Sequence, residues 1–135
     1  MASGEYLNKS EILVAKMNAV MLSRTDINSL IGEDNLSMMK DNHANHARFI
    51  ASVLLHRNDT VLIETVLWVF TAYRSHGFTT NYWAAQLNTW IAVIKEELSA
   101  ESFREIYPYY EWMLVNIPVF VALSNDKLDD NKSLY

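Results

Sequence analysis

The stripe Leu36, Met39, His43, His46, Ile50, Val53 advances by 3, 4, 3, 4 and 3 residues. Only an α-helix turns that spacing into a single face. A similar rhythm returns in Trp83, Leu87, Trp90, Ile91, Ile94, Leu98 and again in Phe103, Ile106, Tyr110, Met113, Ile117, Phe120. Three such stripes point to an all-α fold. Three Gly and two Pro among 135 residues are too few turn formers for a hairpin-rich β fold. The expectation is an antiparallel bundle of five to six helices joined by short loops, with a globin-like arrangement as one variant.

The length suits one domain with a real core. Residues 1–9 read as a flexible lead-in, 10–123 as a single helical bundle, and 124–135 as a polar tail or a linker to a further domain. Candidate caps divide the bundle at Ser10, at Thr25 or Asp26, at Asp34 or Asn35, at Asp59, at Thr79 or Thr80, and at Ser99. Gly32 and Gly77 stand where helices should stop. Pro108 and Pro118 each lack an N–H donor, which predicts a break or kink near Tyr107 and another near Ile117. The segment from Thr60 to His76 carries apolar residues in nearly every direction, so it is expected to be the central helix.

The formal charge is −5, and the eleven Lys and Arg are scattered. Without a basic cluster, neither nucleic acid nor an anionic membrane surface is an expected partner. The chain has no Cys, which excludes disulfides, thiolate metal sites and Cys nucleophiles and fits a cytoplasmic protein. The first residues include Glu5, Lys9, Glu11 and Lys16 and do not read as a signal peptide. Trp112 to Ser124 is apolar but too short to span a bilayer. A soluble protein is expected.

The chemistry of interest lies within the first stripe. In Asn42-His43-Ala44-Asn45-His46, four polar side chains occupy one sector of a helix whose other inward residues are apolar. One reading is a polar pocket in the bundle core that takes a small molecule or a proton. The other is a pair of hydrogen-bonded core histidines, or a face turned to solvent or to a subunit. A metal site is not expected: two His at i, i+3 need further ligands, no acid precedes any His by three residues, and His-Glu-x-x-His is absent. One helix cannot supply both axial ligands of a haem, so a haem or other tetrapyrrole would use a single proximal His43 or His46.

Two further groups bear on this pocket. Glu64 is the only acid between Thr60 and His76. Facing inward it would form a proton-sensitive pair with His46; alternatively Thr60, Glu64, Thr71 and Ser75 form a stripe facing water. The rings of Trp68, Tyr73, Tyr82, Trp83, Trp90, Tyr107, Tyr109, Tyr110 and Trp112 are many for a small bundle. Their apolar bodies and polar tips suit a pocket or a homodimer face, beside ordinary packing.

His46-x-x-Phe49, followed by Trp68, Tyr73 and Gly77, resembles the helical N-terminal sensor-type module of bacterial signalling and cobalamin-binding proteins. The resemblance covers roughly Asn42 to Leu98. It implies a regulatory or sensory role ahead of an output or cofactor domain. The Asp-x-His-x-x-Gly pattern of cobalamin binding is absent from this chain, so that activity would belong to another domain.

The expected function is therefore a sensory or ligand-binding module. Its ligand-binding residues are Asn42, His43, His46, Glu64, Trp68 and Tyr73, and its cofactor is left open. A homo-oligomerisation or docking module without a ligand is the alternative. An enzyme is not expected, because no Gly-x-Ser-x-Gly elbow, phosphate loop or paired-carboxylate motif is present. His46 with Glu64 would be its only acid–base pair.

Overall fold

A computed structural model describes residues 2–133, with side chains as far as Leu128. Among the described residues the chain forms eight helices and no strand: α1 Ala2–Asn8, α2 Ser10–Leu22, α3 Ile27–Ile31, α4 Leu36–Leu55, α5 Asp59–Ser75, α6 Thr80–Glu97, α7 Ala100–Val115 and α8 Ile117–Ser133. The all-α architecture is as expected, but the helices exceed five or six. Among the described residues, no helix is long and apolar enough to cross a membrane.

The core gathers around α6. Tyr82, Trp83, Gln86, Leu87, Trp90, Val93 and Ile94 are all buried, and α6 packs against α2, α3, α7 and α8. The expected central helix, α5, buries only Leu62, Val66, Phe70 and Tyr73. Its Val61, Ile63 and Trp68 remain exposed, Trp68 at 67 %. The reason is position in the bundle: α5 has its main helix contact with α8, so only one of its faces meets the core.

Where a flexible lead-in was expected, Ala2–Asn8 form α1. Tyr6 on α1 is fully buried, and α1 packs on α4 and α7. Glu5 accepts hydrogen bonds from the Ser99 backbone N–H (2.7 Å), the Ser99 hydroxyl (2.8 Å) and the Ser102 hydroxyl (2.6 Å). Those three bonds, led by Ser102, hold its carboxyl at about 2. The carboxylate also lies at the N-terminus of α7, where the helix dipole favours negative charge. Ser99 caps the same helix as expected, accepting from the Ser102 N–H at 3.2 Å.

The polar stretch after Ser124 is likewise a continuation of α8 to Ser133. Ser124 is buried, and Arg74 on α5 donates to its hydroxyl at 2.7 Å and to the Val121 carbonyl at 3.3 Å.

The two prolines behave differently. Pro118 lies in the first turn of α8, where a missing N–H is tolerated, and the chain breaks just before it at Asn116. Pro108 lies inside α7, which runs through it without the expected break. Buried Ile106, Tyr110 and Met113 flank it and offset the lost helical bond by packing.

Two turns lock together at one end of the bundle. Thr79 donates from both its backbone N–H and its hydroxyl to the Leu30 carbonyl, at 2.8 and 3.0 Å. The Asn35 amide donates to the Ile31 and His76 carbonyls, at 2.7 and 2.8 Å. Gly32 has φ +82°, and a Cβ there would come within 3.2 Å of the Gly77 carbonyl oxygen. A glycine is needed here for both backbone conformation and close approach.

Candidate ligand-binding cavity

Of the six residues of the α4 stripe, Met39, His43, Ile50 and Val53 are buried, His46 is partly covered and Leu36 is exposed. The imidazoles therefore do face inward, and each is held by a different partner. His43 Nδ1 lies 2.6 Å from Asn18 Oδ1 on α2, and its Nε2 lies 3.5 Å from the Tyr82 hydroxyl on α6. His46 Nε2 lies 2.8 Å from the Tyr110 hydroxyl, which lies 2.9 Å from the Tyr6 hydroxyl. A chain of three polar side chains thus links α4 to α7 and α1. His46 also lies against Trp90, with ring centroids 4.6 Å apart.

Burial keeps both imidazoles neutral. It lowers His43 to about 4. His46 falls to about 3, through burial first and then repulsion from His43. A cationic imidazole here would lack solvation and a nearby anion.

Beside His46 lies a cavity of about 230 Å³. It occupies the gap between α4 and α5, which are not packed closely on each other. Its apolar wall includes Phe49, Val66, Val69, Phe70, Trp83, Leu87 and Met113. Phe70 and Trp83 are stacked, with centroids 4.3 Å apart, and Tyr73 meets Trp83 edge-on at 6.1 Å. The polar residues on the wall are Asn42, Asn45, His46, Thr65, Tyr73 and Gln86. Asn45 and Trp68 are exposed as well as lining, so they mark its mouth. Among the described residues, no Asp, Glu, Lys or Arg lines it.

Asn42 and Gln86 are the organised part of that polar set. Asn42 Oδ1 accepts from the Tyr82 hydroxyl at 2.8 Å and from Gln86 Nε2 at 2.9 Å. Both residues are buried, at 4 % and 1 % exposure. Tyr82 is pushed well above the usual phenol range, chiefly by burial, and Tyr73 is raised by burial against the pull of Asn42. Both hydroxyls therefore stay protonated.

Four of the six expected site residues line this cavity: Asn42, His46, Trp68 and Tyr73. His43 lies outside the lining, bonded between α2 and α6. Glu64 is exposed and forms a separate surface groove with Trp68, Ser75 and Lys127. It is not within reach of a hydrogen bond to His46, because its stripe on α5 points away from α4. The Glu64–His46 pair is thus not formed, and Thr60, Glu64 and Ser75 are exposed, as in the alternative reading of a stripe facing water.

Gln86, Phe70 and Met113 were not legible as site residues. Met113 belongs to a stripe that reads as ordinary core, Phe70 to a helix apolar in nearly every direction, and Gln86 to no stripe; only the gap between α4 and α5 brings them together. Among the described residues no three His, Cys, Asp or Glu side chains converge as a metal site would require. No protein-family model, curated protein or solved structure matches this chain.

Proposed function

We propose that this protein is a helical ligand-binding regulatory module whose small-molecule site is the cavity between α4 and α5. The observation that carries this reading is the cavity itself, an aromatic chamber of about 230 Å³ with polar groups on its α4 and α6 walls. Concave, mostly apolar sites with a few placed polar groups are the usual form of a small-molecule pocket. An apolar cavity of about 150 Å³ takes benzene, so this one suits roughly ten non-hydrogen atoms. The ligand is neutral, since the lining carries no ionised side chain and burying an unpaired charge is costly.

His46 connects the cavity to the Tyr110–Tyr6 chain. A ligand touching its ring therefore biases the hydrogen bonds that hold α1 in place, a means of passing occupancy to a neighbouring domain. The resemblance to sensor modules supports the same reading, because His46, Phe49, Trp68 and Tyr73 all line this one cavity. A globin-like haem site has less support. His46 Nε2 is engaged by Tyr110, and the cavity is smaller than the roughly 300–1,000 Å³ of pockets for drug-sized ligands. Binding is favoured over catalysis, since no acid accompanies His46 on the wall. The absence of cysteine fits a cytoplasmic setting.

The test is ligand-observed NMR with a library of neutral one- and two-ring aromatics, using wild type and Thr65→Trp. Thr65 is half-buried on the wall, so a larger ring there fills the cavity without entering the core. Saturable binding to wild type, lost in Thr65→Trp, is expected. No saturable binding at millimolar concentration overturns the reading.

A second reading is a docking face for another copy or a neighbouring domain. It draws on exposed Val61 and Trp68, which stand two turns apart on one face of α5, a larger apolar display than an isolated side chain. Sedimentation at micromolar concentration, with Trp68→Lys as the dissociating variant, tests the pairing of two copies; a wild-type monomer overturns that form of it.

A further inference from the structure

The coupled carboxamides of Asn42 and Gln86 carry information about the ligand beyond size and charge. Each side chain has one donor end and one acceptor end. One end of each is consumed in the bond between them, Gln86 Nε2 to Asn42 Oδ1 at 2.9 Å. The other ends are Asn42 Nδ2 and Gln86 Oε1. Neither is among the sealed polar atoms without a partner, which among the described residues are the indole nitrogens of Trp83 and Trp90. Both residues line the cavity and are otherwise buried, so the outward ends open onto it, Asn42 Nδ2 on the side of the Tyr73 hydroxyl.

The orientation of an amide is set by its hydrogen-bond network, and the two amides here are tied together. Turning Asn42 over requires turning Gln86 over as well, to keep a donor against an acceptor. The outward pair then becomes Asn42 Oδ1 and Gln86 Nε2. In either arrangement one side chain offers a donor and its neighbour an acceptor. The Tyr82 hydroxyl accommodates both, because it can donate to Asn42 or turn toward His43 Nε2, 3.5 Å away.

We infer that the cavity selects a flat, neutral heterocycle bearing an amide-type edge, a ring C=O beside a ring N–H, which pairs with Asn42 and Gln86 while the ring lies among Phe70, Tyr73 and Trp83. This inference rests on the ligand-binding reading above and adds the edge chemistry to it. Adjacent donor and acceptor groups fix a ligand more strictly than either alone, since an analogue lacking the edge leaves buried polar groups unpaired. Lactams and the oxo-forms of nitrogen heterocycles belong to this class.

The test compares three probes of nearly equal shape: 2-quinolone, with the full edge; quinoline, with an acceptor only; and naphthalene, with neither. Dissociation constants are measured by tryptophan fluorescence and calorimetry on wild type, Gln86→Met and Thr65→Trp. Naphthalene is the least water-soluble of the three, so a merely greasy chamber ranks it first. The expected order on wild type is the reverse, with 2-quinolone at least tenfold tighter than naphthalene and quinoline between them. In Gln86→Met the advantage of 2-quinolone falls to about onefold.

The wild-type ranking decides the matter even if Gln86→Met folds poorly. Equal or stronger naphthalene binding, abolished by Thr65→Trp, overturns the edge inference and leaves the cavity reading standing. Failure of all three probes to bind wild type overturns both.

Discussion

Helices α4 and α5 flank the same cavity and have opposite compositions. From Leu36 to Leu55, α4 carries Asn42, His43, Asn45, His46 and Arg48; from Val61 to Tyr73, α5 is almost continuously apolar. Yet α4 buries Asn42 and His43 with Met39, Ala47, Ile50, Ala51 and Val53, whereas α5 leaves Val61, Ile63 and Trp68 exposed. Burial here follows where partners exist. The polar groups of α4 meet Asn18, Tyr82, Gln86 and Tyr110, so their desolvation is compensated. On α5, Val61, Ile63 and Trp68 find no such cover among the described residues, whatever their hydropathy.

The contrast is sharpest for one residue type on both helices. Ile50 on α4 is fully buried, and Ile63 on α5 is 44 % exposed. Ile50→Ala is expected to cost about 2–5 kcal/mol, and Ile63→Ala less than about 1 kcal/mol. Urea denaturation of both variants measures the difference. Equal losses would mean that α5 is covered in solution, as the docking reading requires.

A polar pair comes next. Asn42→Leu leaves the Tyr82 hydroxyl and Gln86 Nε2 without their acceptor, at about 1–3 kcal/mol for each buried group left unpaired. A total loss of about 2–6 kcal/mol is expected. Glu64→Leu touches no such network and should change stability by less than about 0.5 kcal/mol. A harmless Asn42→Leu would show that the α4–α6 network does not hold α4 inward.

Acid separates the α4 network from the rest by titration. The folded-state values of about 4 for His43 and about 3 for His46 lie below the unfolded value near 6.5. The unfolded chain therefore takes up protons first. Stability is full above about pH 6.5 and falls as pH drops toward the folded values, by on the order of 2–3 kcal/mol for His43 by pH 4.

Glu5 adds a later loss. Its folded value of about 2 lies below its ordinary 4.5, so its contribution is present above the ordinary value and disappears as pH falls toward 2. Thermal melts from pH 7 to 4 should lose most of their slope in the His43→Asn, His46→Asn double variant. An unchanged slope would place the acid-sensitive groups elsewhere.

The smallest expected effect concerns the far end of the hydrogen-bond chain. Tyr6→Phe removes the 2.9 Å contact with Tyr110 but keeps the ring in its buried site. A loss of about 1 kcal/mol is expected, with faster amide exchange in α1 and little change in α5. Uniform change across the molecule would argue against a specific path from His46 to α1.

The helices themselves were legible in the sequence. Ser99 caps α7, Gly32 and Gly77 follow helices, and α6 buries Trp83, Leu87, Trp90 and Ile94 of its stripe, with Leu98 buried just past its end. Local spacing and caps act within a few residues, which is why they can be read there. Part of the cavity-facing set on α4 was legible for the same reason, since His46 interrupts the apolar stripe and Asn42 lies beside it; His43, the other interruption, lies outside the lining. Glu64 as a ligand-binding residue and the lead-in containing Tyr6 were misread because each depends on a distant element. Glu64 turns outward because α5 packs chiefly on α8, and Tyr6 is ordered by Tyr110, far along the chain.

The sequence by itself determined an all-helical chain and a polar interruption in the inward face of its longest helix. Only the tertiary structure decided which helix became central, that α4 and α5 would stand apart with a chamber between them, and that Gln86 would join Asn42 at its wall. Helical periodicity is a property of neighbouring residues, whereas a cavity exists only where several helices fail to close the space they share.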